Sequence, residues 1–269
     1  MQTFASTKPL KSLSVVVPVF NEELHIRNTL RNIVDAKLKA KNISFVEVIV
    51  VNDASKDLTL SIVKEFVSQC SERESFKILD CQTNCGVGHA FWTGTSVATG
   101  QFITLVPGDG VYSNKALTDL FCEFSQNGVT LTARINKHRQ NKFRRQVSNL
   151  IGVWFSWIVD TRVQDPHSLF VFPTATVNDA YKEIWPSLKY NKDLRIGFEY
   201  NLRILQWILQ TNPISRTLEV EVNTKLEKNS SYISIKVLSN YLKHYGWMTL
   251  RRINRGSYPR ISNTLFKRL

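Results

Sequence analysis

Four short polar clusters carry most of the side chains in this sequence that could do chemistry. They are Pro18-Val19-Phe20-Asn21-Glu22, Asn52-Asp53-Ala54-Ser55, Asn84-Cys85-Gly86-Val87-Gly88 and Pro107-Gly108-Asp109-Gly110. Their chemistry is recognition. Carboxylates such as Glu22, Asp53 and Asp109 accept hydrogen bonds from N–H and O–H groups. Gly86 and Gly88 let backbone approach a ligand closely. Taken singly, Asn, Asp, Gly and Pro are equally ordinary turn residues. Four such clusters, each following an apolar run, describe a ligand cleft instead.

A second group is cationic. Arg134, Lys137, Arg139, Lys142, Arg144 and Arg145 crowd into one short stretch, which suits an anionic ligand. A phosphate monoester has a second pKa near ~6, so at neutral pH it needs cations to position it rather than a base to activate it. Arg144 and Ser148, four residues apart, fall on one helix face; the plainer reading is a solvated basic helix end. A hydroxyl nucleophile would instead need a carboxylate base.

The elements that must hold these groups follow from hydrophobic pattern. Residues 13–20 (LSVVVPVF), 46–51 (VEVIVV), 76–81, 101–106 and 129–135 read as buried strands. Helical spacing appears between them over residues 22–39, from a cap at Asp57, over 88–98 and over 114–124. This alternation predicts an α/β fold with a doubly wound, mostly parallel sheet and helices on both faces. In such a sheet ligands bind beyond the carboxyl ends of the strands, where the four clusters lie. The second half is less regular, with helices over 143–159, 175–184 and 197–209, strands over 168–172 and 217–222, and a final basic helix over 233–253. The first turn is PVFNEE, without a glycine, which argues against a Rossmann dinucleotide fingerprint.

With 269 residues and 43% hydrophobic content, the chain can build one large domain with a sizeable core. The reading divides it into a main domain over 1–230 and a basic helical extension over 231–269. Lys and Arg outnumber Asp and Glu by 35 to 22, a formal charge of +13, which favours a nucleic acid, a membrane surface or a phosphorylated ligand as partner. Cys70, Cys81, Cys85 and Cys122 form no CxxC pair, so neither a zinc site nor a disulfide framework is expected. They read as reduced cysteines of a cytosolic protein. The N-terminal residues lack an apolar stretch, and no apolar run approaches the ~20 residues of a membrane span. Trp154 and Trp157 suit core packing, a sugar platform or a membrane interface. Residues 243–268 interleave Lys243, Arg251, Arg252, Arg255 and Arg260 with Tyr245, Trp247 and Tyr258. No nucleic-acid motif accompanies them, so a peripheral position on an anionic, cytosolic membrane face is favoured.

SVVVPVFNEE (residues 14–23), VIVVNDASKD (48–57) and NCGVGHAFWTGTSVATGQFITLVPGDG (84–110) resemble the opening motifs of the family 2 glycosyltransferases. The nearest likeness is to polyprenyl-phosphate sugar synthases such as dolichyl-phosphate mannose synthase, strong over residues 14–112 and patchier from 134 to about 230. The resemblance implies a GT-A fold and inverting transfer of a sugar from a nucleoside diphosphate donor. By it, Pro18, Phe20 and Glu22 hold the nucleoside, with Asp53 accepting a hydrogen bond from base or ribose and Ser55 beside it. Asn84, Gly86 and Gly88 close over the nucleotide. Asp109 matches the last acid of a DxD motif and would ligate Mg²⁺ or Mn²⁺ on the diphosphate, while Arg134, Arg144 and Ser148 face donor and acceptor phosphates. Asp165 and Glu199 match acidic positions farther along; they are the candidates for the base of a hydroxyl acceptor, and either could be structural. The sequence departs from the family at Pro107, the first acid of DxD, at Val111, and at Asn52, the first of two paired acids. The metal would therefore rest on Asp109, diphosphate and water, with weaker or absent metal dependence as the alternative. The implied acceptor is a polyprenyl phosphate; a glycan hydroxyl in polysaccharide or lipopolysaccharide assembly, or non-catalytic binding of a nucleotide sugar, stay open.

Overall fold

The computed structural model describes residues 11–135, 142–184 and 197–223, together with 242, 245, 246 and 248–250. Strands β1 (Lys11–Val19), β2 (Ile43–Asn52) and β3 (Phe76–Asp80) alternate with helices α1 (Ile26–Lys39), α2 (Thr59–Gln69) and α3 (Val87–Ser96). Strand β4 (Phe102–Leu105), α4 (Asn114–Glu123), β5 (Val129–Arg134) and α5 (Lys142–Val159) follow. Strand β6 (Phe170–Pro173), α6 (Thr174–Ile184), α7 (Phe198–Thr211) and β7 (Ile214–Val220) complete the described fold.

The seven strands form one sheet in the order β3-β2-β1-β4-β6-β5-β7. β1 pairs in parallel with β2 and β4, β2 with β3, and β5 with β7. β6 runs antiparallel to both β4 and β5. An antiparallel strand between them leaves β5 pointing the same way as β4. The carboxyl ends of β1 to β5 and of β7 therefore share one edge of the sheet.

Alternation along the strands feeds two cores. Leu13, Val15, Val17 and Val19 of β1 pack with α1 and α4 on one face, joined by Leu30, Ile33, Leu117 and Phe121. Val16 packs with Ile49, Phe91, Phe155, Leu202 and Ile208 on the other. Both faces are buried, which is why β1 and β2 read as continuous apolar runs.

At the opposite edge, Glu47 is a buried hub. It accepts from Ser14 Oγ, Lys77 Nζ, and the Thr99 and Gly100 backbone. Burial alone would raise its pKa, but the bonds from Lys77, Ser14 and Thr99 outweigh that and hold it at about 2. Gly100 has no room for a side chain, because a Cβ there would lie 2.7 Å from the Ser14 backbone nitrogen.

Two details differ from the sequence reading. α1 begins at Ile26, not at residue 22. Asn21 turns the chain at φ 56°, and the Glu22 and Glu23 N–H groups donate to Thr59 Oγ1 and Asp57 Oδ2 instead of opening a helix. Asp57 itself precedes the cap position, Leu58. The helix expected over 233–253 lies mainly outside the described residues. Of that stretch, Tyr245 and Met248 are buried in the core cluster around α5 and α7.

Candidate functional site

The chain runs outward through β1, β2 and β3, then returns to lay β4 on the other side of β1. That reversal opens a crevice between the carboxyl ends of β1 and β4, the usual ligand position in an open α/β sheet. Glu22 follows β1 and Asp109 follows β4. The Glu22 carboxyl is pushed up to about 7, by burial first and then by the neighbouring charges of Asp109 and Asp57. The two acids flank the crevice closely enough to repel each other. Gly108 permits this approach, since a Cβ there would meet Val19 Cγ1 at 2.5 Å. Thr29 Oγ1 donates to the Gly108 carbonyl at 3.1 Å and ties the β4 loop to α1. Asp109 Oδ1 accepts from the Val111 N–H at 3.1 Å, which closes the turn on itself.

Asp53 is buried at the end of β2. Its Oδ1 accepts from the Cys85 N–H and its Oδ2 from the Gly86 N–H, each at 2.8 Å. The carboxylate thus holds the loop that starts α3. Gly86 sits at φ 90°, a conformation that favours glycine. Asn52 donates to Asp80 Oδ1 at 2.7 Å and accepts from the Ser55 N–H. Ser55 Oγ accepts from the Asn21 N–H at 3.0 Å, and Asn21 Oδ1 from the Lys56 N–H at 2.8 Å. Several side chains expected to touch a ligand therefore also fasten one strand-end loop to the next.

Of the remaining residues expected on the donor side, Pro18 is buried within β1, Phe20 is exposed at the crevice rim, Asn84 is half-buried and Gly88 is buried in the first turn of α3. His89 was not among the sequence candidates. It lies in the first turn of α3, half-buried, where desolvation lowers its pKa and the Asp53 charge partly opposes that. Its position three residues after Gly86 was the available signal.

The residues expected on the acceptor side include an ion pair. Arg134 Nε and Nη2 donate to Asp165 Oδ2 and Oδ1 at 2.6 and 3.0 Å. The Asp165 side chain is fully buried and that of Arg134 is 13% exposed. A bidentate pair this dry is geometrically specific. Asp165 also accepts from the His167 N–H. The Tyr112 hydroxyl lies in the same nest; burial raises its pKa, with Arg134 opposing and Asp165 and Asp109 adding to the rise. Tyr112 bridges to Val222 beyond β7, and the Asn223 N–H donates to the Val111 carbonyl at 2.8 Å. These contacts bring the Asp109 turn and the Arg134–Asp165 pair together. Tyr112 and the pairing of Arg134 with Asp165 were not legible in sequence.

Ser148 is half-buried on α5. Arg144 lies in the first turn of α5 and Glu199 in that of α7, but their side chains lie outside the described residues, as do Lys137 and Arg139. Among the described residues no group of three or more His, Cys, Asp or Glu could hold a metal ion. The oxygen donors at the crevice, Asp109 with Glu22 opposite, nonetheless suit a hard divalent cation completed by phosphate and water. All four cysteines are free.

A model of glycosyl transferase family 2 matches residues 14–208, a stretch that contains every element of this edge except the end of β7. The chain belongs to that family. Over 107 residues it is 33% identical to a dolichyl-phosphate beta-glucosyltransferase of Trichomonas vaginalis, covering 38% of this chain and 32% of the relative. It is 28% identical over 135 residues to a dodecaprenyl-phosphate galacturonate synthase of Rhizobium johnstonii, covering 49% of this chain and 39% of the relative. The match thus spans well under half of either relative. In fold it is similar to glucosyl-3-phosphoglycerate synthase of Mycobacterium tuberculosis in complex with Mn²⁺, uridine diphosphate and glucosyl-3-phosphoglycerate. That likeness has a TM-score of 0.58 at 13% identity and covers 93% of this chain and 82% of the other. The family 2 region is thus carried on the fold that this synthase shares.

Proposed function

We propose that this glycosyltransferase moves a sugar, with inversion, from a nucleoside diphosphate onto the phosphate of a polyprenyl phosphate. The observation that carries this reading is the Arg134–Asp165 pair. A hydroxyl acceptor needs a carboxylate free to take its proton. Asp165, one of the two acids the sequence offered for that role, is buried and committed to Arg134 through both oxygens. A phosphate acceptor arrives already deprotonated and needs only to be held. Pairing also spends much of Arg134's charge, so the attraction for phosphate falls to Lys142, Arg144 and Arg145 at the start of α5. The positive end of the α5 dipole adds to it. The lipid-phosphate enzymes among the relatives support the same acceptor class.

In this account the donor lies across the carboxyl ends of β1 to β4. Phe20, Asp53 and the 84–88 loop enclose the nucleoside, and Glu22 and Asp109 face the diphosphate. Asp109 and Glu22 would hold the divalent cation, which when bound neutralises charge on the diphosphate. An acceptor phosphate oxygen forms the new bond to the anomeric carbon from the face opposite the leaving group. The bond from that carbon to the diphosphate breaks, and its electron pair departs with the nucleoside diphosphate. No proton has to be removed by the protein. Arg134, fixed in orientation by Asp165, and Ser148 position the acceptor.

The test is a transfer assay with purified protein, labelled UDP- and GDP-sugars, and either a short-chain polyprenyl phosphate or soluble glycans. Organic-extractable, acid-labile label is expected. Label appearing only in soluble glycan would overturn the phosphate acceptor.

A further inference from the structure

Tyr245 is 1% exposed, yet its hydroxyl makes no hydrogen bond among the described residues. A buried hydroxyl left unpaired is costly, so an unpaired one calls for an explanation. The ring is firmly held. It lies 4.8 Å from the Trp154 ring and 6.4 Å from that of Phe155, both on α5. The chain leading into Asp165 rests on the same turn of α5. Ser156 Oγ accepts from the Val163 N–H at 3.0 Å. Gly152 lets the Gln164 carbonyl come close, since a Cβ there would lie 3.3 Å from it. Tyr245 and Asp165 are thereby brought near each other. Burial first, and the Asp165 charge second, raise the Tyr245 pKa, so the hydroxyl keeps its proton and can donate it. The Tyr112 hydroxyl, also near Asp165, is already engaged with Ser168.

We propose that Tyr245 is a positioning residue for the acceptor: its hydroxyl donates to Asp165 when the acceptor phosphate draws on Arg134. The proposal rests on the phosphate-acceptor reading above. In the structure Arg134 Nε and Nη2 satisfy both Asp165 oxygens. A phosphate beside Arg134 competes for the same guanidinium. Weakening either bond would leave charge unpaired on a carboxylate whose side chain is fully buried, and acceptor binding would have to overcome that cost. A hydroxyl held in reserve beside Asp165 offsets it, because a bond from O–H to a carboxylate is among the stronger hydrogen bonds. The same step gives the unpaired hydroxyl its partner. No covalent bond changes, and the phenolic proton stays on Tyr245. The contribution comes from chain beyond residues 14–208, the stretch that the family model matches. Nothing in the spacing of the sequence motifs pointed to it.

Tyr245→Phe removes the hydroxyl and keeps the ring against Trp154. The hydroxyl has no bond to lose, so the urea midpoint of the variant should equal or exceed that of the wild type. Calorimetric affinity for a nucleoside diphosphate with Mn²⁺ should be unchanged. Affinity for a short-chain polyprenyl phosphate in detergent, and kcat for transfer to it, should fall by about tenfold, with KM for the donor unchanged. A purely structural hydroxyl would give the opposite split, with stability lost and kcat retained. In an Asp165→Asn background the same substitution should make no further difference, and an undiminished effect there would place the hydroxyl's action elsewhere. A destabilised Tyr245→Phe would overturn the proposal, as would wild-type acceptor affinity and kcat in that variant, or an equal fall in nucleotide affinity. A wild type that transfers sugar while Tyr245→Phe is indistinguishable from it sinks this proposal alone. A wild type that neither binds nor glycosylates the polyprenyl phosphate sinks the acceptor reading, and this proposal with it.

Discussion

Replacing Asp53 by Asn should loosen the 84–88 loop and, through it, weaken nucleotide binding. The carboxylate accepts two N–H bonds of 2.8 Å, one on each oxygen, from Cys85 and Gly86. An Asn side chain has one carbonyl oxygen and one amino group. Its oxygen can accept from one N–H, but its amino group then meets the other N–H, donor against donor. One bond to a charged group is lost and the second becomes a neutral one. Bonds to charged groups contribute ~1.5–3 kcal/mol each and neutral ones ~1 kcal/mol, so the substitution should cost roughly 2–5 kcal/mol of stability at this buried site. Urea denaturation should show the loss at unchanged m-value. Hydrogen exchange should accelerate at Cys85 and Gly86 more than in β1 or β2. Nucleoside diphosphate affinity should fall by about tenfold or more, because binding must then order the loop. Wild-type stability together with unchanged exchange at these two amides would refute the reasoning.

Other consequences are as specific. Glu47 is held at about 2 against an ordinary 4.5, so its stabilisation is present above pH 4.5 and is lost as pH falls toward 2. That difference amounts to about 3 kcal/mol at neutral pH, and Glu47→Gln should remove it and flatten the acid limb of a stability–pH curve. Arg134→Met and Asp165→Asn should each cost roughly 3–5 kcal/mol by stranding a buried charge, and the double variant should cost clearly less than their sum; additivity in denaturant titrations would argue against the pair. Asp109→Asn should abolish the extra thermal shift that Mn²⁺ gives with a nucleoside diphosphate while leaving the ligand-free melting temperature close to wild type. A mutant that kept full metal dependence would remove Asp109 from the metal site.

The donor half of the site was legible because its signals are local. An apolar run such as residues 46–51 ended by Asn52 and Asp53 announces both a buried strand and the sheet edge where it stops. Direction is not local: nothing in the four residues of β6 says that they run against β4 and β5. Nor is the start of α1, which depends on Thr59 and Asp57 reaching back to the Glu22 and Glu23 N–H groups. The roles of Asp53 and Ser55 as fasteners between loops were hidden for the same reason. Their partners are supplied by chain distant in sequence. Arg134 and Asp165 were each singled out, but as a cation for phosphate and an acid near the acceptor. Their union, across 31 residues, changes what each can do. Trp154 and Trp157 stand three residues apart and looked alike in sequence. One packs against Tyr245, while the other is half-exposed.

The central claim is that the carboxyl edge of β1 to β4 binds a nucleoside diphosphate and that its sugar is passed on. Calorimetric titration of the purified chain with UDP and GDP, with and without Mn²⁺, tests its first step most directly. The account predicts one site per chain for one of the two nucleotides, tightened by Mn²⁺ and weakened in Asp53→Asn. Absence of binding by either nucleotide, with metal present and the protein folded, would contradict it.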